Sequence, residues 1–234
     1  MYIGNWIFLA FILISFVGLY KIFDEIIVNA YDQNIRDKTL SKISVEIFDD
    51  HFVCYNDGIG IDVEKHPEHK IYIPELIFAN LMTSTNYDES EERITGGTHG
   101  LGSKLTAIFS KKFIIETIDS EEKKKFIQEY SENMTQKTKA KITKNSGKSY
   151  TKITFIPDYE RFGITGISDD MYNLIERRVY DIAACTDKTV NVSFNGEKLD
   201  YKCFEKYVDL YIGDKSAHPR VHLQLNNRWE IIVS

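Results

Sequence analysis

The sequence predicts an α+β fold: a two-layer sandwich in which helices cover one face of a mixed β-sheet. Three observations carry this. Residues 18–34 and 169–186 read as helices, the first with an apolar stripe at Ile22, Phe23, Ile26, Ile27 and Ala30. From Lys112 onward the pattern changes to short strand-like runs. Asn195-Gly196 between two such runs is a strong hairpin signal. The 234 residues suffice for one large domain or one domain plus part of a second. With 43% hydrophobic and 27% charged residues a sizeable core can form.

Taken in order, residues 1–20 carry no charge, and their most apolar run is 6–17. A spanning helix needs about 20 apolar residues and a signal peptide needs a basic start, so neither reading fits well. The run also leads without a linker into the helix at 18–34, so no membrane segment is expected; a buried strand or an atypical start is. Residues 41–55 hold two strands, the second ending in the tight loop Asn56-Asp57-Gly58. Pro74 opens a short helix over 74–81. Residues 83–102 are long, polar and glycine-bearing, which predicts a loop or lid, and a second helix starts at Ser103. Strands at 113–117, 124–130, 137–142 and 151–156 suggest an antiparallel meander. After the helix at 169–186 come the Asn195-Gly196 hairpin, a short helix over 204–211, and two strands at 220–225 and 228–233.

Charge and cysteine usage narrow the function. The formal net charge of −6 argues against a surface that grips nucleic acid throughout. Cys54, Cys185 and Cys203 are widely spaced and odd in number, which suits reduced thiols in an intracellular protein. No Cys/His spacing suits zinc.

Four patterns carry chemistry. Glu25 and Asn29 stand at i and i+4, on one helix face. A carboxylate can deprotonate a water, and an amide oxygen is a hard ligand suited to Mg²⁺; the same spacing also fits a solvated face. Asp57-Gly58-Ile59-Gly60 offers an acceptor for the adenine amine and glycines that admit a flat ring, although such a run can be only a turn. Gly96-Gly97-Thr98-His99-Gly100-Leu101-Gly102-Ser103-Lys104 is a glycine-rich loop entering a helix, with backbone N–H groups and one cation for an anion. Its spacing is neither that of a P-loop nor that of a dinucleotide-binding turn. The fourth is an alternating strand with hydroxyls at Thr151 and Thr154.

In this order the four patterns resemble the Bergerat (GHKL) ATP-binding fold, shared by gyrase-type topoisomerases, a class of ATP-driven chaperones, mismatch-repair proteins and histidine kinases. GLYKIFDEIIVNAYDQ, YIPELIFANLMTSTNYD, ITGGTHGLGSKLTAIFS and RRVYDIAACT are similar to the ATPase region of type II DNA topoisomerases of eukaryotes and large DNA viruses. FNGEKLDYKCFEKYVDLYI and NNRWEIIVS continue the likeness in the same order, so it covers nearly everything from Gly18 onward. The resemblance implies ATP and Mg²⁺ as cofactors, Glu25 as catalytic base and Asn29 as Mg²⁺ ligand. It implies Asp57 against adenine with Gly60 beside it, and Ser84, Thr85 and Asn86 near ribose and phosphates. Gly97, Thr98, His99, Gly100, Leu101, Gly102, Ser103 and Lys104 would close over the phosphates, and Thr154 would lie nearby. It divides the chain into an apolar segment 1–17, a nucleotide-binding domain 18–205 and the first strands of a transducer domain, 206–234.

The same resemblance implies partners and place. DNA would be met only through the intact enzyme, which adds the rest of the transducer, a Toprim domain and a winged-helix core, and works as a homodimer in the nucleus or at a viral replication site. The sequence departs from the family at Asp57, where eukaryotic members carry Asn, and at Thr98-His99, where they carry Arg-Asn. The exchanged N-terminal strap and the DNA-cleaving parts are not in these residues, so ATP binding with slow hydrolysis is expected, not DNA cleavage. A degenerate fragment or split subunit that binds nucleotide or a partner is the alternative reading. The basic run 137–148 suits either phosphate contacts or a solvated hairpin, and Arg177-Arg178 either a partner site or surface ion pairs.

Overall fold

The computed structural model describes residues 3–80, 100–201, 203–226 and 229–234, with the backbone alone for 3–14. The loop expected at 83–102 therefore lies almost wholly outside the described residues.

The first helix, α1 (Ile3–Arg36), is longer than the sequence suggests. It runs unbroken through the boundary expected at residue 17, so the strand expected for the apolar start is not formed. An unbroken run of non-Pro residues, with its glycines at positions 4 and 18 only, lets the helical ladder continue. Among the described residues no helix is long and apolar enough to cross a membrane. From Leu19 onward α1 buries Ile22, Phe23, Ile26, Ile27 and Ala30, the stripe read from the sequence.

Strands β1 (Lys42–Ile47) and β2 (Phe52–Asp57) follow as an antiparallel pair. Next come the short helices α2 (Ile73–Ala79) and α3 (Gly102–Ile108). Strands β3 (Ser110–Asp119), β4 (Lys124–Ser131), β5 (Gln136–Lys137), β6 (Lys141–Lys144) and β7 (Tyr150–Pro157) come before the long helix α4 (Asp169–Cys185). Ser168 caps α4 by accepting from the Met171 N–H at 3.2 Å, with Asp169 and Asp170 in the first turn. Strands β8 (Asn191–Phe194) and β9 (Glu197–Lys198) form the hairpin expected at Asn195-Gly196, both of which have positive φ. The remainder is α5 (Phe204–Ile212), β10 (Val221–Asn226) and β11 (Trp229–Val233).

The main sheet runs β5-β4-β3-β7-β2-β1-β8-β9, with β6 on β4. It is mixed: β1 and β8 are parallel and the other pairs antiparallel. The meander expected over 113–156 is not what forms, because β7 inserts between β3 and β2. Burial explains the choice. In β7, Thr151, Ile153 and Phe155 alternate as buried residues and need a central position. The lysine-rich β5 and β6 have little to bury and stay at the edge. Phe23 of α1 meets Phe52 and Phe155 at ring-centroid distances of 4.8 and 5.2 Å, which places the core between helix and sheet. β10 and β11 form a separate two-stranded sheet.

Candidate nucleotide site

A cavity of ≈ 250 Å³ opens between α1, the end of β2, α3 and β7. Its walls are partly apolar, from Ile26, Ala30, Ile61, Phe78 and Ile153, and partly polar, from Asn29, Asn56, Ser103, Lys104 and Thr151. Apolar walls with a few convergent polar groups are the composition of a small-molecule site.

The loop after β2 forms one rim and is pinned by three side chains. Asp37 accepts from the Ile59 N–H at 2.7 Å, Thr117 from the Ile61 N–H at 3.1 Å, and Asp119 from the Val63 N–H at 3.0 Å. The bonds from the Thr39 and Ile59 groups hold the Asp37 carboxyl below its usual range, against the opposing effect of its burial. Gly60 at the rim has φ +75°, and a Cβ there would lie 2.2 Å from the Ile118 carbonyl oxygen, so only glycine fits.

The opposite rim is α3. Its Thr106 hydroxyl donates to the Ile22 carbonyl at 2.9 Å, which ties α3 to α1. Gly102 packs directly on the Glu25 carboxylate; a Cβ there would come within 1.6 Å of Oε2. Lys104 is only 3% exposed, and burial pushes its pKa down to about 8. Among the described residues no carboxylate lies within ion-pair distance of it. A buried cation with no carboxylate beside it among the described residues is one that an anion would stabilise.

Of the residues expected at the site, Asn29, Gly60, Gly100, Ser103 and Lys104 line the cavity. Glu25 lies one turn before Asn29, beside Gly102, and faces a smaller apolar recess with Phe109 and Phe162. Leu101 and Gly102 form the start of α3 without lining the cavity. Ser84, Thr85, Asn86, Gly97, Thr98 and His99 lie outside the described residues.

Two expected residues are displaced by strand geometry. Asp57 points away from the cavity: its carboxylate accepts from the Ser41 N–H, the Ser41 hydroxyl and the Lys42 N–H at 2.6–2.7 Å. Its neighbour Asn56 lines the cavity instead, because Phe52, Cys54 and Asn56 share the buried face of β2. Likewise Thr154 lies on the outer face of β7, opposite Val53, and Thr151 lines the cavity. Asn56 on the cavity wall and Asp37, Thr117 and Asp119 behind its rim are not singled out by the sequence. Strand parity groups Asn56 with Phe52 and Cys54, but the core decides that this face is the buried one.

The fold and the cavity define a nucleotide-binding domain of the Bergerat class. No protein-family model matches the chain. Among curated proteins, a probable DNA topoisomerase 2 of Dictyostelium discoideum is 49% identical over 226 residues, 94% of this chain and 15% of that protein. Among solved structures, the ATPase region of Saccharomyces cerevisiae topoisomerase II superposes with a TM-score of 0.86 at 43% identity, covering 92% of this chain and 57% of that one. The ATPase and transducer domains of DNA topoisomerase II from Balamuthia mandrillaris give a TM-score of 0.84 at 43% identity, covering 92% and 55%. This chain is thus a homologue of the ATPase region of type II DNA topoisomerases, and it spans about 15% of the length of the curated relative just named.

Proposed function

We propose that this chain binds and hydrolyses ATP as the ATPase part of a type II DNA topoisomerase. The observation that carries the reading is Lys104, a buried cation without a carboxylate partner among the described residues, on the wall of a cavity that Asn29 and Asn56 also line. In the intact enzyme, ATP binding would pair two such regions around a captured duplex, and hydrolysis would reset them. We assign residues 18–205 to the nucleotide-binding domain and 206–234 to the beginning of a transducer; the separate β10–β11 sheet supports this division. DNA and the cleavage core are then partners of the whole enzyme, which acts where DNA is handled, in a nucleus or at a viral replication site.

Each residue has a task. Asn56 donates through Nδ2 to the Asp57 carbonyl at 2.9 Å, which leaves its Oδ1 free to accept from the adenine amine. Gly60 and Ile61 let the ring approach the loop. Lys104 and Ser103 meet the phosphates. The donor set fits Mg²⁺ with a polyphosphate, and Asn29 would hold the ion, which when bound neutralises phosphate charge. Glu25, one helical turn from Asn29, orients the attacking water and takes its proton. Phosphoryl transfer asks mainly for positioning and charge neutralisation, and this inventory supplies both.

The test is calorimetric binding of a non-hydrolysable ATP analogue with Mg²⁺. Wild type should bind. Asn56→Ala should lose about tenfold or more in affinity, the value of one buried hydrogen bond. Asp57→Ala should keep its affinity, and Glu25→Gln should bind but keep only a small residual turnover of ATP. A correctly folded wild type that binds nothing would overturn the reading. Loss of binding in Asp57→Ala but not in Asn56→Ala would overturn the assignment of the adenine contact.

A further inference from the structure

Away from the cavity, a chain of ion pairs centred on a buried carboxylate joins α1 to α4. Asp24, the residue before Glu25, is 7% exposed. Its Oδ1 accepts from Arg178 Nε of α4 at 2.7 Å, and its Oδ2 lies 3.0 Å from Lys21 Nζ. The same ammonium sits 2.7 Å from Glu25 Oε1. Lys21 precedes the two carboxylates by three and four residues, so it reaches both from one turn away. Placing a lysine N-terminal to its acid is the less favourable order for a helix, so these pairs add little to the stability of α1 itself.

We propose that Arg178 is a positioning residue for hydrolysis: it holds Asp24, Asp24 holds Lys21, and Lys21 keeps the Glu25 carboxylate against Gly102. This rests on the reading of Glu25 as the base. Each oxygen of Asp24 has one cation, which stops Lys21 from swinging wholly to Asp24 and leaving Glu25. Without Arg178 the buried Asp24 carboxylate would draw Lys21 to itself, and Glu25 would lose its hold. Arg178 does this without lining the nucleotide cavity. The chain of contacts continues outward: Arg178 Nη1 lies 3.7 Å from Asp181, which accepts a short hydrogen bond from the Tyr207 hydroxyl of α5. The helix that leads into β10 and β11 therefore leans on the same network.

The experiment is steady-state ATPase kinetics on Arg178→Ala, Arg178→Lys and the isosteric Asp24→Asn, with analogue binding measured alongside. Arg178→Ala should lower kcat by about 10- to 100-fold, the cost of a misaimed catalytic group. KM and analogue affinity should stay within about twofold, and Arg178→Lys should recover part of the rate. Added to Glu25→Gln, Arg178→Ala should cost nothing more, because both changes act through one group. The Gly102 amide resonance, which reports the Glu25 carboxylate without turnover, should shift in Arg178→Ala. An unchanged kcat with an unmoved Gly102 resonance would overturn the proposal, as would a loss additive with Glu25→Gln or an equal loss of affinity. Asp24→Asn carries the same test if the alanine variant does not fold. If wild type binds no nucleotide, the proposed function fails on its own, and the Gly102 resonance then decides the positioning of Glu25.

Discussion

Lys104 is the residue whose chemistry is most altered by its surroundings. Burial lowers its pKa from the ordinary 10.5 to about 8. Between these values the unfolded chain holds a proton that the folded chain has released, so stability rises with pH through this window. Below it both states are charged, and the full cost of burying the ammonium stands. Melting curves should therefore show wild type gaining on Lys104→Met between about pH 8 and about pH 10.5, the interval that the folded and unfolded pKa values bound. A parallel pH dependence in the two proteins would contradict the burial account. Bound phosphates favour the charged form, so nucleotide affinity should weaken as pH climbs past about 8. Titrating the analogue across that range checks it, and an affinity flat with pH would leave Lys104 without its phosphate.

At the scale of elements, the site depends on how α3 meets α1. Thr106 bonds to the Ile22 carbonyl, and Gly102 rests on Glu25. A methyl group at Gly102 has no room while Glu25 keeps its place. Gly102→Ala should therefore cut kcat by about 100-fold, as for a misplacement of about 1 Å, with the melting temperature little changed. A variant with wild-type turnover would show that Glu25 does not need this contact. The helix α4 is held differently, by an amphipathic face of Met171, Ile175, Val179 and Ile182 and by the Ser168 cap. Ser168→Ala should lower stability by about 1 kcal/mol, read as a shift in a denaturant midpoint. A shift near zero would mean that water or the backbone replaces the cap. Arg178 of the same helix, seen in sequence as either a partner site or a surface pair, bonds to Asp24 across 154 residues. Arg177 instead lies over the Tyr211 ring, 5.6 Å from its centroid.

At the scale of the whole molecule, stability is unevenly spread. The centre of the main sheet has Phe52, Phe113, Ile115 and Phe155 fully buried. The β10–β11 sheet instead exposes Val221, Leu223, Leu225 and Trp229, from 49% to 63%. Hydrogen exchange should therefore release β10 and β11 well before β2, β3 and β7, since opening the small sheet exposes little buried surface. Equal protection of the two would mean that the small sheet is covered by something in solution. The lysines of β5 and β6 are all exposed, and Lys137 among them reaches the buried Glu75 at 2.8 Å.

Much of the candidate site's lining could be read from short windows. The i, i+4 pair Glu25 and Asn29, the glycine-rich entry to α3 and the Asn195-Gly196 turn depend on helical period and backbone freedom, which are local. The sequence by itself therefore determined the helix faces, most strand positions and the general class of ligand. Only the tertiary structure decided the insertion of β7 beside β2 and the face that each strand turns to the cavity. The charge of Asp57 drew attention to it, but the inward packing of Phe52 and Cys54 brings Asn56 to the cavity. In β7 the same parity selects Thr151 over Thr154. A strand reverses its side chains at every residue, so a one-residue difference exchanges the cavity face for the opposite face. Which face is buried is settled by core partners distant in the chain, as is the Asp24–Arg178 pair, and no local pattern contains them.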